Sequence, residues 1–116
     1  MSVGYWIVAG IAAALYFGIG GMKLVSTRAK LLANPQAAWA NDFSAPEIKL
    51  IGLAEVAGAA GLILPPAFGV AKWLRIPAAI GLILLMIGAF ITHRRRKESA
   101  IFPLVPALLV FVSLFL

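Results

Sequence analysis

An all-α membrane protein, with four transmembrane helices in a bundle and one or two short interfacial helices between spans 1 and 2, is the fold class these 116 residues predict. Three observations predict it. Hydrophobic residues make up 63% of the chain and charged ones only 12%, whereas soluble domains are about 25% charged. Mean hydropathy is +1.03. The charges gather in short stretches, and between them lie four apolar runs, each near the ~20 residues a helix needs to cross a ~30 Å hydrocarbon layer. Those runs take up most of the chain, which leaves a single integral membrane domain over residues 1–116 and no soluble module.

The first span is expected at about 3–23. Met1 to Met22 carries no charge, and Lys23 follows the apolar run. A secretory signal peptide has its basic residues first, so this run is expected to be a retained first span. Tyr5 and Trp6 stand at its start, where amphipathic rings favour the headgroup layer. Gly10, Ala14 and Gly18 recur at every fourth residue, a ridge of small side chains that lets another backbone approach.

A more polar cytoplasmic segment follows at about 26–43, with Arg28, Lys30, Asn34, Asn41 and Asp42 interleaved with Leu31, Leu32, Trp39 and Phe43. Asn34 and Pro35 read as a cap and a first helical residue, and Trp39 and Phe43 share a face at i, i+4. One or two short helices lying in the membrane plane, aromatics toward the acyl boundary, are expected here. An ordinary connecting loop is the alternative.

Ser44-Ala-Pro-Glu47 has the capping-box pattern and starts the second span, expected at about 45–64. Pro65-Pro66 is expected to stop it, because proline cannot donate to the helix. From Leu50 to Ala71 the only ionisable side chain is Glu55. A charge at mid-membrane costs about 2.5 to 3.5 kcal/mol on insertion scales, so Glu55 is a functional lead whose partner must be found. Gly52, Glu55, Gly58 and Ala59 fall on one face, and Gly52, Gly58 and Gly61 are candidates for close helix packing.

The third span, at about 75–93, runs into His93-Arg94-Arg95-Arg96-Lys97, a basic block expected to set orientation and to contact lipid phosphates. The fourth, at about 99–116, carries Pro103 and Pro106 near its start. Of the ten basic residues, Lys23, Arg28, Lys30, Lys49 and Arg94 to Lys97 fall on one side, eight against Lys72 and Arg75. The positive-inside rule makes that side cytoplasmic and puts both termini outside. It also accounts for the net charge of +6 without nucleic acid.

Depth bookkeeping puts Glu55 within ~3 Å of the midplane, Tyr16 roughly 4 Å and Lys23 roughly 14 Å toward the cytoplasm. Tyr16 is therefore the expected partner, with Tyr16, Gly20 and Lys23 forming a polar lane on one face. Two readings of Glu55 stand side by side: a buried neutral acid, hydrogen-bonded to Tyr16 or to a neighbouring backbone carbonyl and serving as helix glue, or a pocket residue exchanging one hydrogen bond with a lipophilic ligand. His93 reads as an interfacial residue, with a hydrogen bond to a quinone carbonyl as the alternative. There is no cysteine, which excludes thiol chemistry and iron–sulfur clusters, and a single histidine cannot build a bis-histidine haem or a zinc site. No paired carboxylates, Ser-His-Asp set or phosphate-cradling loop occurs, so no catalytic or metal-binding residue is assigned.

Gly20-Gly-Met-Lys23-Leu24 at the end of the first span, and Lys49-Leu-Ile-Gly52-Leu-Ala-Glu55 followed by Gly58-Ala-Ala-Gly61-Leu-Ile-Leu-Pro65, resemble the DoxX-like family of small bacterial membrane proteins. The resemblance implies a compact four-helix bundle in the plasma (inner) membrane. For some relatives it also implies association with quinone-linked or thiol-linked oxidoreductases, of which the thiol-linked form finds no support in a chain without cysteine. The function expected is that of an accessory subunit or lipophile- and lipid-binding protein of a larger envelope complex, without catalysis or cofactor of its own. Its partners would be membrane lipids and other membrane or envelope proteins. The alternative is a quinone-linked subunit of an oxidoreductase, in which Glu55, Tyr16 and His93 contact the quinone.

Overall fold

The structure, a computed structural model, describes residues 1–116, the side chain of Gln36 excepted. It is all-helical: α1 (Val3–Val25), α2 (Arg28–Leu32), a 3₁₀ segment (Pro35–Asp42), α3 (Ala45–Phe68), a 3₁₀ turn (Lys72–Leu74), α4 (Arg75–Arg95) and α5 (Ile101–Ser113). Three helical stretches, Val3–Val25, Ala45–Phe68 and Lys72–Arg95, are long and apolar enough to cross a membrane. At 13 residues, α5 is about 20 Å long and apolar, shorter than a hydrocarbon layer is thick. The molecule measures 41 × 25 × 18 Å, its long axis close to the ~40–45 Å of a bilayer with its headgroups. Ile7, Ile11, Leu53, Ile80, Ile87 and Leu108 are exposed around its flanks, an apolar exterior that suits lipid and would aggregate in water.

The helices form a square in which α1 and α4 each pack on both α3 and α5. The core inside it is built from Tyr16, Leu62, Leu82, Met86 and Val110 with Ala12, Ala13, Ala59 and Ala79. The Ser2 hydroxyl donates to the Leu116 carbonyl at 2.9 Å, which brings the two termini to one end. At the other end Arg96 Nη1 bonds Asp42 Oδ1 at 2.8 Å, tying the turn between α4 and α5 to the polar segment before α3. The two basic loops thus share one end of the bundle.

The polar segment forms α2 and then 3₁₀ turns that break at Ala37 (φ −104°, ψ 25°). Thr27 caps α2, and Leu31, Ala37, Ala40 and Ile48 make a small satellite core beneath it. Helix α3 starts as its sequence dictates: Glu47 N–H donates to Ser44 Oγ at 3.3 Å, and Ser44 N–H donates to Glu47 Oε1 at 2.8 Å.

It does not stop at Pro65. Both prolines lie inside α3, which runs on to Phe68 and ends at Gly69 with φ 67°. There Val70 N–H donates to the Pro65 carbonyl at 3.1 Å and Gly69 N–H to that of Pro66 at 3.3 Å, a Schellman ending in the left-handed conformation that glycine adopts freely. The prolines are tolerated because the loss is local. Pro66 has no N–H for the Leu62 carbonyl, and the Tyr5 hydroxyl of α1 donates to that carbonyl instead, at 2.6 Å in the buried interior.

The small-residue ridges divide. A Cβ at Gly58 would fall 2.6 Å from the Leu82 side chain and one at Gly61 2.7 Å from Ala78 Cβ, so both seat α4 against α3. At Gly10 and Gly18 an added Cβ would meet nothing within 4 Å, and Ala14 is exposed. That ridge faces away from the other helices of this chain, and the close approach expected of α1 occurs at Gly20 instead.

Candidate functional site

The site begins with that crossing. A Cβ on Gly20 would fall 2.7 Å from the Gly52 carbonyl oxygen and 2.9 Å from Glu55 Cβ; one on Gly52 would fall 2.8 Å from both the Gly20 carbonyl oxygen and Lys23 Cβ. The arrangement is reciprocal. Each glycine makes room for the ionisable residue that lies three positions beyond the other glycine. Across the crossing Lys23 Nζ donates to Glu55 Oε1 at 2.6 Å, with Glu55 fully buried and Lys23 8% exposed.

The partner of Glu55 is thus Lys23, where depth bookkeeping had favoured Tyr16. The cause is side-chain direction. Side chains lean toward the N-terminus of their own helix. α1 and α3 run antiparallel, so Lys23 leans away from the basic end while Glu55 leans toward it, and the two reach across a backbone offset that made Tyr16 look the better match in depth. Tyr16, on the same helix as Lys23, also leans away from the basic end and so away from the Glu55 carboxylate, and its hydroxyl donates to the Leu82 carbonyl at 3.4 Å. Tyr16, Gly20 and Lys23 do form one buried face of α1.

Two further groups hold the pair. Lys49 Nζ donates to the carbonyls of Lys23 (3.1 Å), Leu24 (2.5 Å) and Ser26 (2.7 Å), supplying the donors that the last turn of α1 lacks and placing a cation at the negative end of its dipole. Trp39 brings its ring to 5.2 Å from Lys23 Nζ. The sequence reading missed both roles, although Lys49, Gly52 and Glu55 follow at i, i+3, i+6 and so announce one shared face. Glu55 Oε2 is buried without a hydrogen-bond partner among the described residues.

Beside the pair, toward the basic end, a cleft of roughly 1200 Å³ is bounded by α1, α3, α4, the start of α5 and the 3₁₀ segment. Its walls are mainly apolar, with Ile19, Met22, Leu84, Leu85 and Phe102 among them, and Trp39 and Phe43 line it from the polar segment. Lys23 lines the cleft and Glu55 does not, so the pair meets the cavity through its ammonium side. His93 also stands in the wall, its Nδ1 3.4 Å from Glu98 Oε2.

The basic block is not uniform. Arg96 is engaged by Asp42 and Glu98, whose hydrogen bonds, that of Glu98 foremost, hold its pKa above the ordinary arginine value. Arg94, Arg95 and Lys97 are exposed. Of these, Arg95 lines the cleft. Among the described residues no group of three or more His, Asp or Glu side chains converges where a metal ion would sit.

The two halves of this crossing are also the stretches that carried the family resemblance, and the model of the DoxX-like family matches residues 7–116, nearly the whole chain. The chain belongs to the DoxX-like family. Neither the curated proteins nor the solved structures contain a match to it. Family membership and the apolar helices together make this DoxX-like chain a small integral membrane protein.

Proposed function

We propose that the protein binds a lipophile in the cleft and serves as an accessory subunit of a larger envelope complex, without catalysis of its own. The observation that carries this reading is the cleft itself: roughly 1200 Å³, walled by apolar side chains, and floored by an ammonium group whose position Glu55 and Trp39 fix. Pockets for small molecules are mostly apolar with a few placed polar groups, and this cavity has that character at the level of the membrane.

On this reading residues 1–116 form one membrane domain, and α5 with its flanking turns, 99–116, makes a fourth crossing. The basic end faces the cytoplasm and both termini lie outside the plasma membrane. A quinone-linked subunit is the rival, favoured by the place of His93 in the cleft wall.

Native mass spectrometry of the protein released from gentle detergent tests the proposal. A lipophilic adduct at one copy per chain is expected, together with co-purifying subunits. Gly88 lines the cleft and has open space around it, so Gly88→Leu should project into the cavity and weaken retention of the adduct while the helical circular dichroism stays unchanged. A protein that is bare in both forms, or that turns over a substrate alone, contradicts the proposal. A quinone as the adduct, with stability that responds to quinone analogues, decides for the rival.

A further inference from the structure

On the lipophile-binding reading, three properties of the cleft narrow what fills it. The first is depth. Along α4 it extends from Gly81 to Arg95, a rise of about 21 Å at 1.5 Å per residue. Half a bilayer with its headgroups is about 20 to 22 Å, so the cleft has the depth of one leaflet. The second is size, since roughly 1200 Å³ exceeds the ~300–1,000 Å³ typical of pockets for drug-sized molecules.

The third is charge. Of the ionisable groups lining the cleft, Lys23 is balanced by Glu55, and Glu98 by Arg96. His93 lies against Glu98. The Arg95 guanidinium at the mouth makes no ion pair or side-chain hydrogen bond among the described residues, which leaves one uncompensated positive charge in the cleft lining. Ser99 also lines the cleft, with a hydroxyl of the kind that binds phosphate oxygens.

We propose that the cleft holds one anionic phospholipid of the leaflet on the basic side. Its phosphate lies against Arg95 and Ser99, and its chains run toward Gly81 past Leu84, Gly88 and Phe102. The lipid enters sideways from the bilayer and stays as a structural ligand under Trp39 and Phe43.

The test uses the full chain in nanodiscs made with equal phosphatidylglycerol and phosphatidylcholine, followed by native mass spectrometry of the lipid that remains bound on release. Phosphatidylglycerol should be retained about fivefold over phosphatidylcholine, the preference expected of one cationic side chain at an anionic surface. Arg95→Gln should bring the ratio to near parity. Arg94→Gln, which removes an equal charge outside the cleft, should leave it unchanged. Equal retention of both lipids by the unaltered protein, an equal loss in the two arginine variants, or a neutral lipophile in the cleft overturns the phospholipid assignment and leaves lipophile binding intact. Retention unaffected by Gly88→Leu, or no retained lipophile at all, overturns both.

Discussion

Lys23 and Glu55 carry opposite charges into a place where neither is tolerated alone. Taking two charges out of water costs several kcal/mol each, repaid only when the pair is close and well hydrogen-bonded. At 2.6 Å the pair meets the distance condition, while the free Glu55 Oε2 leaves part of the desolvation uncompensated. Glu55→Leu or Lys23→Met alone should therefore destabilise the protein by about 3–5 kcal/mol. The double variant should return to within about 1 kcal/mol of the original, because an apolar pair of similar volume is often as stable as the ions. Unfolding in detergent micelles, read as a double-mutant cycle, checks this; additive losses would show that the charges do not act as a pair. That Glu55 needed a partner was legible in its isolation between Leu50 and Ala71. Which partner was not, since distance along the helix axis ignores the opposite lean of side chains on antiparallel helices.

Among the elements, α3 shows how a local rule yields to a neighbour. Two prolines read as a stop, yet the helix continues because a hydroxyl 57 positions away serves the carbonyl that Pro66 leaves unpaired. Tyr5→Phe should cost about 1 kcal/mol, in the range of hydrogen bonds inside membrane bundles. Adding Pro66→Ala should recover most of it, since alanine restores the missing N–H; no recovery in thermal unfolding would sever the link between the two residues. The glycines divide in the same way. Gly52→Ala puts a Cβ against backbone and should destabilise by about 1–3 kcal/mol, whereas Gly10→Ala meets nothing and should be neutral or stabilising by up to about 1 kcal/mol. Spacing alone made these glycines look alike, because every-fourth-residue periodicity defines a face without saying which neighbour it meets. The capping box and the start of α3 needed no such information, being made of residues in contact along the chain.

For the molecule as a whole, the all-helical class, the order of its elements and the family follow from composition, run length and two motifs. The cleft was beyond reach of that reading. It exists because Gly58 and Gly61 hold α3 and α4 together toward one end of the bundle, while Trp39 and Phe43 of the polar segment line the space at the other, and neither fact is written in any single stretch. Function on this account lies in that space, with the Lys23 ammonium as its floor and Glu55 behind it. A crystal structure grown from a lipidic mesophase tests it most directly. Elongated density running from Arg95 toward Gly81 beneath Trp39, with Lys23 and Glu55 still paired behind it, is the result predicted. A cleft closed by α3 against α4, or one holding only ordered water, would contradict the account.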